Sequence, residues 1–238
     1  MIGRTTVAHR VLQFNDELAD TSLDLPGEFK IVNPFTGPQK GTVREITTAF
    51  YQKYYDDDKP RRLILGSSPA RRGTAVTGVP FEDAEVLESE TGIDIDGYEI
   101  SRNSSGFIHD VIRHYGGRDK FYADYCMSFV CPLGVVRTSS KGNEVNCNYY
   151  DSKELREYLR SFIVETLKRR LEFGTDTSVC YCIGSGENFK FLSKLNKDHG
   201  FFQEIVPLEH PRFVTQYNLG RKDEFIEKYI RALRGRGD

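Results

Sequence analysis

Apolar residues recur at helical spacing over Val7–Ala19 and again over residues 42–55, each run with a polar opposite face. Thr42 is of a type that caps helices, so it predicts an N-terminus for the second run. Four short apolar runs follow: "RLILG" (Arg62–Gly66), "YCMSFVCPLGVV" (125–136, around a Pro132 break), "SVCYCI" (178–183) and "EIVPL" (Glu204–Leu208). Continuous runs of that length, without polar alternation, predict strands buried on both faces. Helical spacing returns over 81–89, over 107–115 with Gly116 and Gly117 as its stop, and over 151–173 with Asp151 and Ser152 as caps. It returns again from Gly184-Ser185-Gly186 to Lys197 and over Lys222–Arg234.

Buried strands separated by helices predict the α/β class: a three-layer αβα sandwich around a mostly parallel four-stranded sheet. We expect one domain over 1–238, with 1–60 as an N-terminal helical extension and 61–235 as the core. In such sheets ligands sit at the C-terminal strand ends. Four segments fall there: the loop after "RLILG", "CPLG" (131–134), "GSGEN" (184–188) and "EHPRFVTQY" (209–217).

Composition narrows the partners. The chain has 238 residues, 38% of them hydrophobic, and a formal charge of −2. A polyanion would therefore have to meet a local basic patch, since there is no global positive field. No apolar run approaches the ~20 residues that span a bilayer, and residues 1–10 lack an apolar signal core. The expectation is a cytoplasmic protein, without membrane contact and monomeric. Its five cysteines (Cys126, Cys131, Cys147, Cys180, Cys182) are odd in number and form no C-x-x-C pair, which predicts reduced, buried thiols and no metal. The acidic run Asp56-Asp57-Asp58 reads as a solvated loop.

Among these loops, 67–80 is rich in glycine and small residues and carries Arg71 and Arg72, with Phe81 beyond it. "GSGEN" could cradle a phosphate at a helix N-terminus, but it lacks the dinucleotide fingerprint, and no cofactor is expected. His210 is followed by Pro211 at a strand mouth, a functional position; His9, His109, His114 and His199 read as surface or core residues.

Gly66-Ser67-Ser68-Pro69, then Thr77-Gly78-Val79-Pro80-Phe81, "SSGF" (104–107), "CPLG" and His210-Pro211-Arg212 together resemble the motifs of the uracil-DNA glycosylase superfamily, in their order. The likeness is to its single-strand-selective monofunctional (SMUG) group, and "YGG", "NYYD", "GSGEN" and "HPRFVTQY" resemble a bacterial branch of it. The resemblance implies a monofunctional glycosylase acting on uracil or another deaminated base in DNA. It implies that Phe81 stacks on the flipped base, with Gly66, Ser67 and Phe129 beside it. His210 would donate to the base carbonyl, and Ser68 would stand where the attacking water is aimed. Arg71, Arg72 and Arg212 would contact DNA phosphates or the strand gap.

Two positions depart from the pattern. Ser68 stands where SMUG relatives carry Asn, and a hydroxyl cannot act as a base near neutral pH. Phe129 stands where many relatives carry an Asn that reads the pyrimidine edge, while Ser128 points to the opposite strand face. A non-catalytic binder of single-stranded or damaged DNA, and a small-molecule α/β enzyme, are the competing readings.

Overall fold

The computed structural model describes residues 5–95 and 102–235. In chain order the elements are α1 (Val7–Ala19), β1 (Phe29–Val32), α2 (Lys40–Tyr55), β2 (Arg62–Gly66), α3 (Thr74–Thr77), α4 (Ala84–Thr91), α5 (Arg102–Tyr115) and α6 (Arg118–Asp124). Then come β3 (Tyr125–Phe129), β4 (Gly134–Thr138), β5 (Glu144–Cys147), α7 (Lys153–Leu171), β6 (Val179–Ile183), α8 (Glu187–His199), β7 (Glu204–Leu208), α9 (Pro211–Tyr217) and α10 (Lys222–Arg234).

The four expected strands form one parallel sheet in the order β3-β2-β6-β7. Leu63, Ile64 and Leu65 of β2 are all buried, so both faces of the central strand are covered. On one face, Tyr125 and Tyr181 donate their hydroxyls to the carbonyls of Leu233 and Ala232 in α10. On the other, Arg170 of α7 enters the core, 1% exposed. Its guanidinium donates to the Phe129 and Val130 carbonyls and to Ser128 Oγ. Burial pulls this group down to about 10, so it is still a cation at neutral pH, held by carbonyl dipoles. Helices on both faces of a parallel sheet make the α/β sandwich.

Several local expectations change. The apolar run 125–136 is two strands in two sheets. Beyond β3, the amides of Val130 and Cys131 bond across the end of β2 to the carbonyls of Gly66 and Ser67. Pro132, which cannot donate to a ladder, sits in the turn that follows. The chain then enters a second, three-stranded antiparallel sheet, β1-β4-β5. Residues 5–60 therefore contribute a strand as well as two helices. Helix α2 starts at Lys40, and Thr42 lies inside its first turn without capping it. The helix expected at 81–89 starts at Ala84, capped by the Asp83 carboxylate, which accepts the Val86 amide. Helix α7 is capped by Ser152, which accepts the Leu155 amide.

The acidic run is not wholly solvated. Asp57 pairs with Arg61, itself buried, at 2.7 and 3.0 Å, and the guanidinium holds the carboxyl below its usual range. All five cysteines are buried free thiols, and burial pushes Cys182 up to about 12.

Candidate active site

Because the sheet is parallel, the loops after β2, β6 and β7 leave from one edge. The end of β7 lies two strand spacings from β2, about 10 Å, with β6 between them.

Gly66 closes β2. A Cβ there would lie 2.7 Å from Phe81 Cζ and 2.8 Å from Phe129 Cδ1, so the two rings occupy the space a side chain would need. The rings stack on each other, centroids 5.0 Å apart at 20°. Gly66, Phe81 and Phe129 thus form one contact group, with Phe129 buried and Phe81 half-buried. Phe81 adopts a left-handed backbone (φ 61°), which is unfavourable for a bulky residue and must be held by its surroundings. Its amide donates to Thr74 Oγ1 at 3.1 Å.

The next residue, Glu82, is 2% exposed and serves as a hub. It accepts from His109 Nε2 at 3.0 Å, from Arg118 and from Tyr122. Burial works to raise this carboxyl, but His109 and Arg118 outweigh it and hold it below the usual carboxylate range. Asp83 accepts from Ser105 Oγ at 3.1 Å, tying the loop to α5. His109, read from the sequence as a surface or core residue, is thus a half-buried hydrogen-bond partner of Glu82 in the layer behind Phe81.

Ser67 is buried and its hydroxyl donates to Asn148 Oδ1 at 2.9 Å. Ser68 is half-buried. The Arg71 amide donates to Asn146 Oδ1 at 2.8 Å, while its buried Nε meets no acceptor among the described residues. Arg72 is exposed. Asn146 and Asn148 lie outside the residues expected at the site; their signal is the N-x-N spacing at the end of β5, which turns two amides to one side of an extended chain.

His210 follows β7 and is half-buried. The segment after it, expected to be a loop, is the helix α9, with Pro211 at its first position and His210 as its cap. The Arg212 amide donates to His210 Nδ1 at 3.1 Å, so in the neutral ring the remaining proton sits on Nε2. Burial, helped by the Arg212 charge, brings the imidazole down to about 4. Arg212 is exposed. Exposed apolar side chains continue along the same segment: Phe213 at 47%, Tyr217 at 77% and Leu219 at 65%.

"GSGEN" serves the fold. Asn188 is buried, donating to the Ile183 carbonyl and accepting from Tyr149, while Glu187 puts a negative charge where a phosphate would have to sit.

The profile of the family described as "Uracil DNA glycosylase superfamily" matches residues 52–234. The chain belongs to the uracil DNA glycosylase superfamily. A solved structure titled "The crystal structure of WT Pedobacter heparinus SMUG2" is similar to it at 42% identity, with a TM-score of 0.91, covering 97% of this chain and 98% of that one. No curated protein matches. The superfamily match takes in every sequence-predicted site residue, from Gly66 to Arg212. The likeness to the SMUG2 structure takes in more of the chain than the family match, which begins at residue 52. Among the described residues, no helix is long and apolar enough to cross a membrane.

Proposed function

We propose that this protein is a monofunctional DNA glycosylase that hydrolyses the N-glycosidic bond of uracil or another deaminated base. DNA is then its substrate, and superfamily membership together with the likeness to SMUG2 supports this reading. The observation that carries it is the geometry at His210, at a strand mouth: the Arg212 amide occupies its Nδ1, so the neutral ring that burial favours carries its proton on Nε2, which meets no acceptor among the described residues. A departing base gathers negative charge on a carbonyl oxygen, and a fixed donor aimed there stabilises it.

In this reading the damaged nucleotide leaves the stack and its base lies on Phe81, beside Gly66, Ser67 and Phe129. Water attacks the anomeric carbon as the bond to the base breaks. The bonding electrons leave with the base, the oxygen stays on the sugar, and the proton ends on the base or in solvent. Ser68 holds that water through its hydroxyl. Arg71, Arg72 and Arg212 contact the backbone on either side of the flipped nucleotide. Residues 61–235 carry the side chains named here, in a monomer, and 1–60 form the extension.

A panel of oligonucleotides bearing uracil, hydroxymethyluracil, hypoxanthine or xanthine, in single and double strands, tests the proposal. Release of free base with an abasic site left in the strand is the expected result. Ser68 in place of an amide favours a second reading, a binder of damaged DNA. Tight binding with no base released from any substrate would decide for that reading, and no affinity at low salt would remove both.

A further inference from the structure

Residues 67–71 open the loop that links β2 to α3 (67–73) and carry Ser68, yet no hydrogen bond fixes the Ser68 hydroxyl among the described residues. Its aim depends on how this segment is held, and residues 67–71 are held at both ends by β5 and the residue that follows it. At the entry, Ser67 Oγ donates to Asn148 Oδ1 at 2.9 Å. At the exit, the Arg71 amide donates to Asn146 Oδ1 at 2.8 Å. Asn146 belongs to β5 and Asn148 follows it directly, with Cys147 turned inward between them. Two amides separated by one residue project from the same side of a strand.

The clasp is itself anchored. The Asn148 amide donates to Asp151 Oδ2 at 2.8 Å, and the Asp151 amide donates back to the Asn148 carbonyl at 3.0 Å. Asn146 and Cys147 pair with Val136 and Val135 of β4. β4 also presses on the middle of the loop: a Cβ on Gly134 would lie 3.0 Å from the Pro69 carbonyl oxygen and 3.2 Å from Ala75 Cβ. The small antiparallel sheet thus touches the loop at its entry, middle and exit.

We propose that Asn146 and Asn148 are positioning residues, and that the second sheet serves the reaction by setting the orientation of Ser68. The inference rests on the glycosylase reading for its rate consequences. Its structural content, two side chains fixing one loop, stands apart from that reading. Displacing a reacting group by about 1 Å can cost on the order of a hundredfold in rate. Neither amide needs to touch the base or the reacting water for its loss to be felt.

The test uses the full chain and whichever panel substrate the parent cuts fastest. Single-turnover release by Asn148→Ala and Asn146→Ala should fall at least about tenfold, with oligonucleotide affinity unchanged within about threefold. Asn148→Asp keeps an acceptor for the Ser67 hydroxyl and should recover most of the rate. Ser67→Ala and Asn148→Ala should together cost less than the sum of their separate effects, because the Ser67–Asn148 bond is lost in both, while Ser67 alone also meets Tyr150. Parental rates in folded Ala variants, or a fully additive pair, would overturn the proposal. Hydrogen exchange provides an arm independent of activity: the Arg71 amide should lose protection in Asn146→Ala. If the parent releases no base from any substrate, the glycosylase reading fails and this arm decides the clasp. Unchanged protection at Arg71 would end it.

Discussion

His210 is a donor because the Arg212 amide has taken its other nitrogen. That bond exists because Pro211 starts a helix there and leaves His210 at the cap position. Replacing it with Ala should reduce base release about 10²- to 10³-fold, the usual cost of removing one charge-stabilising donor. The lost cap should cost only about 1 kcal/mol, a few degrees in Tm. Cleavage at the parental rate by a folded His210→Ala protein would show that the imidazole has no part in the reaction. Ser68 poses the opposite case: it is the weakest group for aiming water that the position could hold. Ser68→Asn should raise uracil excision, read as a single-turnover rate. An unchanged or lower rate would mean that the hydroxyl suits another base or another task.

At the scale of elements, the loop carrying Phe81 is braced from behind. Glu82 joins α5 through His109 and α6 through Arg118 and Tyr122, and Asp83 caps α4 while accepting from Ser105. This bracing explains how a phenylalanine persists at a positive φ. Glu82→Ala removes the shared acceptor, leaving a hole beside His109 and only the longer contact to Glu90, at 3.6 Å, for Arg118. It should destabilise the protein by about 3–5 kcal/mol in denaturant titration. A loss under about 1 kcal/mol would mean the hub is dispensable. Little of it was legible beforehand, because Glu82, His109 and Arg118 are far apart along the chain and each alone reads as an ordinary polar residue. The second sheet was equally hidden. β5 is exposed at three of its four positions and β1 is only partly covered, so neither makes an apolar run. α9 did have a signal, a proline at the first helical position, and reading "HPRFVTQY" as a strand-end loop passed over it.

For the whole molecule, pH links site and stability. The His210 imidazole titrates near 6.5 when unfolded and near 4 when folded, so the neutral ring is the form the fold prefers. Its contribution is complete above about 6.5 and declines as pH falls toward 4, by up to about 1.4 kcal/mol per pH unit. Glu82, Asp57 and Asp176, the last accepting from the Arg62 guanidinium and the Ser178 amide just before β6, are all held below their usual values, so they also stabilise at neutral pH and lose that effect in acid. Stability measured by chemical denaturation should be level from pH 7 to 8 and fall below about 6.5. In His210→Ala the fall should be shallower between about 6.5 and 4. An identical profile in both proteins would show that the imidazole titrates normally in the folded state.

Local pattern alone determined the parallel sheet, most of its helices and the residues at its strand ends. A strand buried on both faces must be apolar throughout, and a helix over it must be apolar on one side; both rules act within a dozen neighbouring residues. The short motifs of the candidate site were legible for the same reason, since a strand end and its loop are contiguous. Only the tertiary structure decided that 125–136 divides between two sheets, that Asn146 and Asn148 close on the loop of Ser68, and that Glu82 holds Phe81 in place. Those outcomes depend on hydrogen bonds and ion pairs between groups tens of residues apart. The energy of such a contact exists only once the chain has brought its two ends together.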